Sequence, residues 1–383
     1  MAKSNSNNMR QRKQQRASER AAVDHSNKDE DDKVHKRKSS AARKSKTSGF
    51  PAGMKLIVAM LLVLVVFLVL ALVIEHGEEE EEDSTSRRAQ ETASHQQSHH
   101  DHDGPLTQVS KNYRVVKTLP HDPKAFTQGL TFRPDNSTIL YESTGMYNDS
   151  VIRVLDLNNN AQILQEIKLD EKYFGEGLSY FEYPPNTKAK HHHNKGLVHF
   201  TWKELTGFVF DVDTLETLQE FAFTTTTNEG WGIIHVPNNP NYDFIVSDGS
   251  ANLHFWDKDY KECQPPLEVT YLTQDMLNQQ QMTKPRGMRF LNELEWDPTT
   301  NTILANIWYQ DYIARINPTT GFIEMLYDLR GLYPYRPPGT DVFNGIALHP
   351  VDGQLWVTGK YWHQLYQIEL DVDPEAEEAE MPL

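Results

Sequence analysis

Five short segments of the chain share one shape: a polar or Trp residue, then Gly or Glu, an aliphatic residue, and two positions later another bulky one. They are Gln128-Gly-Leu-Thr-Phe, Glu176-Gly-Leu-Ser-Tyr, Trp231-Gly-Ile-Ile-His, Asn292-Glu-Leu-Glu-Trp and Asn344-Gly-Ile-Ala-Leu, whose first positions lie 48, 55, 61 and 52 residues apart. Each is followed by an apolar run ending in small, polar or aromatic residues: LYESTG, LVHFTWKE, FIVSDGS, ILANIWYQD and LWVTGKYW. A third run then closes on a turn, where Asp156, Asp211, Asp257 and Asn317 supply the turn chemistry. A period of about 40–50 residues with three or four strands each marks a β-propeller. A β-sandwich would space its strands about 8–12 residues apart without the longer period. Five repeats predict an all-β, five-bladed propeller. Tyr113–Thr118 is placed to add a strand to the last blade and close the ring. Only Thr273–Gln281 reads as a short helix.

What precedes the repeats is of another kind. Leu56–Ile74 is 19 consecutive apolar residues without a charge, Gly or Pro, which as a helix spans about 28 Å, near the roughly 30 Å hydrocarbon core of a bilayer. Of the 38 Lys/Arg and 54 Asp/Glu in the 383 residues, 15 and 6 lie in Met1–Lys55, which leaves 23 and 48 beyond it. Basic residues before the span and acidic ones after it predict a single-pass signal anchor, with the N-terminus cytoplasmic and the body lumenal or extracellular. The sequence therefore divides into a disordered basic head (1–55), the span (56–74), an acidic, His-rich stem (75–105), the propeller (106–370) and an acidic tail (371–383). Asn136 and Asn148 head sequons in the body and are glycosylation candidates there. The acidic body excludes a basic nucleic-acid surface, and a single Cys263 excludes an internal disulfide framework. The membrane is expected as a partner, a nucleic acid is not, and the body is expected to be a monomer. His99, His100, His102 and His191–His193 lack zinc-ligand spacing and read as exposed segments rather than as a metal site.

Innermost strands line the channel of a propeller. Gln128, Glu176, Trp231, Asn292 and Asn344, at equivalent positions of successive blades, are therefore expected to ring one of its mouths. The ends of the second strands place Trp202, Trp308, Lys360 and Trp362 in the loops above. One carboxylate among amides, a lysine and several Trp is not a symmetric structural device. Trp256, Trp296 and Trp356 read as core.

In this order, FTQGL, STGMYNDS, FGEGL, TWKE, GWGI, LNELEW, NIWYQD, FNGIA and VTGKYW resemble the plant- and bacterial-type glutaminyl-peptide cyclotransferases, the glutamine cyclotransferase family. The resemblance runs from about Tyr113 to Leu370. It implies a five-bladed propeller that turns the N-terminal glutamine of peptides and proteins into pyroglutamate with release of ammonia. It also implies an acyltransferase with no required cofactor and no metal in the site; a structural Ca²⁺ stays open. His191–His193, Gln264–Pro285 and two residues before Ile303 read as insertions.

The chemistry suits such a ring. The α-amine attacks its own side-chain carboxamide carbon, so positioning supplies much of the effect. What remains is to move a proton from the attacking to the departing nitrogen. Glu176, matching the FGEGL motif, is the candidate general base and then acid, and neighbouring Trp rings would raise its pKa by desolvation. Gln128, Asn292 and Lys360 are candidates to hold the carboxamide and its oxyanion. Phe126, Trp202, Trp231 and Trp308 are candidates to wall the pocket, with Asn344 and Trp362 at its edge. Glu293 joins the substrate-binding set from one layer behind, and it or Glu295 is the rival for the proton-transfer role. Two other classes remain at this point. One is a non-catalytic peptide-binding propeller. The other is a metal-dependent propeller hydrolase, which would need more carboxylates in the ring than one or two.

Overall fold

The computed structural model describes residues 104–184, 194–279 and 283–371. The head, the apolar span, His191–His193 and nearly all of the stem and tail lie outside these residues. Among the described residues, no helix is long and apolar enough to cross a membrane.

The described residues form five antiparallel four-stranded blades and a small two-stranded sheet, Thr270–Tyr271 with Arg286–Gly287. The first blade runs Thr127–Phe132, Ile139–Thr144, Val151–Asp156 and Gln162–Lys168 from the channel outward. The second runs Gly175–Glu182, Lys195–Thr201, Thr206–Phe210 and Thr217–Ala222; the third Ile233–His235, Phe244–Ser247, Asn252–Trp256 and Glu262–Glu268. The fourth runs Leu291–Asp297, Thr302–Ile307, Tyr312–Ile316 and Ile323–Asp328. The fifth takes Phe343–Leu348, Leu355–Gly359 and Gln364–Leu370 from the end of the chain and its outer strand, Tyr113–Pro120, from the beginning. That closure leaves no blade open at the seam. A strand not foreseen from the sequence, Gln108–Ser110, adds in parallel to the outside of the fourth blade. The short helix is Gln274–Asn278, capped by the Thr273 side chain.

The turns between third and fourth strands form for a local reason. Asp156 accepts the amide of Asn158, Asp211 those of Asp213 and Thr214, Asp257 that of Asp259, and Asn317 that of Thr319. Burial then stacks the blades. Five apolar clusters fill the interfaces between neighbours, such as Tyr141 and Ile152 of the first blade against Leu178, Phe208 and Phe210 of the second. Trp256 and Trp356 belong to these clusters, and Trp296 packs half-buried against one.

The innermost strands come close around the channel. A Cβ on Gly177 would lie 2.8 Å from the Trp231 carbonyl oxygen, and one on Gly232 only 2.1 Å from that of Asn292. At these two positions the residue is glycine because the next blade's backbone occupies the space. An inner strand also has an unpaired edge, a liability in any sheet. Here neighbouring side chains satisfy it: Thr131 accepts the Tyr180 amide, Ser179 that of His235, and Asn306 that of Gly345.

Candidate active site

Four inner strands carry a register shift at the repeat motif: between Thr127 and Gly129, Gly175 and Leu178, Leu291 and Leu294, and Phe343 and Ile346. In the third blade the regular strand starts only at Ile233, after Trp231. A bulge bends its strand and re-aims a side chain. Gln128, Glu176, Asn292 and Asn344 stand at these bulges and are all buried. The Gln128 amide Nε2 donates to Glu176 Oε1 at 2.8 Å, and Asn344 Nδ2 reaches Gln128 Oε1 at 3.4 Å. Asn344 also donates to the Thr127 carbonyl at 3.1 Å. Asn292 Oδ1 is buried without a partner among the described residues. It is an acceptor aligned with no protein donor, a cost that a bound donor would remove.

The second-strand loops build a wall above the ring. Several contain a residue with left-handed backbone: Leu205 (φ 51°), Tyr309 (φ 64°) and Tyr361 (φ 60°). Such residues are held only where surrounding structure over-determines them, often at sites. Rings then follow one another around the mouth. Tyr361 meets Phe126 at 5.2 Å between centroids, Phe126 meets Phe174 at 6.0 Å, and Phe174 meets Trp202 at 5.5 Å. Further round, Trp231 and Trp308 make an edge contact at 5.3 Å, and Tyr309 covers Trp308 at 4.0 Å. The buried Lys360 ammonium lies 4.5 Å over the Phe126 ring. Trp202, Trp231 and Trp308 stay half-exposed, as walls of an open pocket do.

Two residues of the sequence-derived set belong elsewhere. Trp362 is 1% exposed and sits in the cluster between the fourth and fifth blades, its indole N–H donating to the Asp341 carbonyl at 3.0 Å. The reason is local: Lys360, not Trp362, immediately precedes the left-handed residue of its loop, as Trp308 precedes Tyr309. Trp362 falls one step past the turn and folds back over Gly359. Glu293 is taken up by the scaffold. Its two oxygens accept the amides of Leu130 (3.1 Å) and Ile346 (2.7 Å), tying the fourth blade to the first and the fifth. Burial raises its pKa well above the usual carboxylate range, partly offset by those two donors. Glu295 does the same for the Leu348 amide at 3.2 Å, and burial pushes it up to about 8.

Two groups escaped sequence reasoning. Glu229 Oε2 accepts the indole N–H of both Trp202 (2.8 Å) and Trp231 (3.0 Å). Behind Gln128, Glu142 is fully buried and accepts from His121 (2.9 Å) and the Thr127 hydroxyl (2.7 Å). Pairing with Glu142 outweighs burial and raises the His121 pKa, while that of Glu142 is lowered despite its own burial. A His-Asp-Pro before a strand carries no pattern that announces such a pair. Asn136 and Asn148 are both exposed in loops.

The inner strands run from this mouth to the other, where a cavity of about 520 Å³ opens among residues at their far ends, such as Thr131, Tyr180, His235, Glu295 and Leu348. None of the ring residues lines it. Among the described residues, no group of three or more His, Cys, Asp or Glu is placed to hold a metal ion.

Residues 86–370 match the family model described as glutamine cyclotransferase. A curated relative from Arabidopsis thaliana, a glutaminyl-peptide cyclotransferase, is 34% identical over 269 residues, which cover 69% of this chain and 73% of the relative. Among solved structures, the glutaminyl cyclase of Myxococcus xanthus superimposes with a TM-score of 0.54 at 26% identity, over 70% of this chain and all of that one.

Proposed function

The chain belongs to the glutamine cyclotransferase family, and from the geometry of its ring we propose how it closes N-terminal glutamine to pyroglutamate. The observation that carries the reading is the hydrogen bond that joins Glu176, the carboxylate at the mouth's bulges, to the Gln128 amide. Glu142 and Glu293 are buried nearby, but Glu142 Oε1 serves His121 and Thr127, its Oε2 lies 3.5 Å from Arg153 Nη1, and both oxygens of Glu293 serve backbone amides.

Substrate glutamine enters with its side chain curled over its own α-amine. The Trp202, Trp231 and Trp308 wall keeps it in that conformation and keeps water out. A free α-amine has a pKa of about 7.7–8.0, so a useful fraction is neutral and nucleophilic at pH 7. The amine nitrogen forms a bond to the side-chain carbonyl carbon, and the carbonyl oxygen takes the electron pair. Glu176 accepts the proton that the attacking nitrogen sheds and passes it to the departing one; the carbon–nitrogen bond of the carboxamide breaks and NH₃ leaves. Asn292, Gln128 and the Lys360 ammonium hold the carboxamide and the transient oxyanion, in preorganised positions that need no rearrangement during reaction.

The same proposal extends to the rest of the chain. Leu56–Ile74 anchors the propeller in a membrane of the secretory route with its head in the cytoplasm, and the exposed Asn136 and Asn148 are available to glycans on the lumenal side. The propeller acts as a monomer on peptide and protein N-termini.

Mass spectrometry of a Gln-initiated peptide incubated with the full chain tests the reading. Loss of one ammonia well above the spontaneous rate is expected. In Glu176→Gln, which retains an acceptor for Gln128, kcat falls by about 10²–10⁴, the usual contribution of a positioned acid–base group. Undiminished turnover in that variant sinks the assignment of Glu176.

A further inference from the structure

We infer that Glu229 is a positioning residue of this site, a single carboxylate that clamps the indole walls of two blades to each other and to the strand bulge that carries Glu176. The inference rests on the proposed function. Trp202 follows the second strand of the second blade, and Trp231 precedes the first strand of the third. They are 29 positions apart, yet one oxygen of Glu229 takes both indole N–H groups, at 2.8 and 3.0 Å. Its other oxygen lies 3.5 Å from Lys203 Nζ, and that ammonium is itself 3.8 Å over the Trp202 ring. Two charge-assisted bonds and a cation on the ring face thus fix one indole against the other.

The segment holding Glu229 is fixed in turn. The Thr225 hydroxyl accepts the Glu229 amide at 3.1 Å and donates to the Glu229 carbonyl at 2.7 Å. Gly230 donates to the Trp202 carbonyl at 2.8 Å. The link onward is what makes the clamp matter for chemistry. The Trp231 carbonyl accepts the amide of Gly177, the residue next to Glu176, at 2.8 Å. If the carboxylate is lost, both walls are free to rotate, and the anchor of the Glu176 bulge moves with Trp231. Misplacement by about 1 Å costs a reaction of this kind up to 10²-fold.

The test compares wild type, Glu229→Ala and Glu229→Gln in the full chain, by steady-state kinetics on a Gln-initiated peptide, thermal melting and tryptophan emission. The carboxamide oxygen of Gln can still accept both indole N–H groups; Ala cannot. Glu229→Ala is expected to lower kcat/KM by about 10- to 100-fold, with a raised KM, while the melting temperature stays near that of wild type. Its emission should shift to the red and quench more readily with acrylamide. Glu229→Gln is expected to recover kcat/KM to within about threefold, since it keeps both indole bonds and loses their charge assistance and the solvent-exposed pairing with Lys203. The clamp is overturned if Glu229→Ala stays within about twofold of wild type, or if Gln is as impaired as Ala. A loss that merely follows the folded fraction at unchanged KM overturns it as well. Wild type without any cyclisation overturns the proposed function instead. In that event the emission series still decides the clamp: identical spectra and quenching in all three proteins refute it.

Discussion

Glu293→Gln asks whether the second buried glutamate of the ring is structure or chemistry. Each oxygen of Glu293 accepts one backbone amide, from Leu130 of the first blade and Ile346 of the fifth. A carboxyl group offers two acceptor oxygens whether or not it is protonated; a carboxamide offers one, and puts an NH₂ where the other was. Glu293→Gln therefore orphans one buried amide and buries a new donor without a partner. At about 1–3 kcal/mol for each of the two unsatisfied groups, the sum is about 4 kcal/mol as a central figure. For a domain of this size each kcal/mol moves the melting temperature by about 2–4 °C, so a fall of roughly 8–16 °C is expected. Differential scanning calorimetry reads it. Cyclisation assayed well below the transition should keep kcat within about threefold of wild type, because both oxygens of Glu293 are taken by backbone amides. A shift under about 2 °C would refute the tie between blades. A fall in kcat of about 10² at an unchanged melting temperature would show that Glu293 moves the proton and that the assignment to Glu176 is wrong.

Glu295 gives a pH dependence of defined sign. Burial holds its pKa at about 8 in the folded protein, against about 4.3 for an unperturbed Glu. Its favourable contribution is full below the lower value and is lost as pH rises through the higher one. Glu295→Gln keeps an acceptor for the Leu348 amide and should flatten the decline of melting temperature between about pH 5 and pH 9. Parallel curves for the two proteins would refute the shift. Gly232→Ala drives a methyl group to 2.1 Å from the Asn292 carbonyl oxygen, backbone that cannot step aside without moving the fourth blade. About 3 kcal/mol of destabilisation, at the upper end of overpacking, is expected together with weakened substrate binding, read by thermal melting and KM; a melting temperature equal to that of wild type counts against the close approach.

The blade count and the ring closure could be read from the sequence because each depends on a pattern that local physics imposes. Strand, turn and glycine recur wherever inner strands approach, and Asp or Asn recurs where a turn must be capped. The ring residues were legible for the same reason: they occupy one register position in every repeat. What escaped was set by contacts between blades. Glu229 is joined to Trp202 from 27 positions away, and no spacing rule links a loop carboxylate to two indoles of different blades. Glu293 looked like part of the pocket because it follows Asn292 directly. The bulge between Leu291 and Leu294 decides which of the two side chains faces the mouth. Trp362 was misplaced by a single step, since aromatic composition alone does not reveal which residue of a loop takes positive φ.

The repeat also explains why one mouth of the channel is free to carry chemistry. At the motif, the blades hold one another through main-chain atoms. The Ser143 hydroxyl donates to the Glu176 carbonyl at 2.6 Å, Ser247 does the same to Asn292 at 2.6 Å, and Gly177 binds the Trp231 carbonyl. None of these contacts consults the side chain at the first motif position. The second position is Gly in four repeats, at Gly129, Gly177 and Gly232 because neighbouring backbone fills the space and at Gly345 because φ is 112°; the aliphatic third is constrained by burial. The first is buried in four repeats and, at Asn344, bonded to the Thr127 carbonyl, yet its residue type is free to vary: it reads Gln, Glu, Trp, Asn and Asn. A position that the fold fixes in space but leaves open in chemistry, repeated five times around one opening, lets a near-symmetric scaffold assemble an asymmetric site. The far mouth lacks that freedom where Glu295, Ser179 and Thr131 spend their side chains on neighbouring amides.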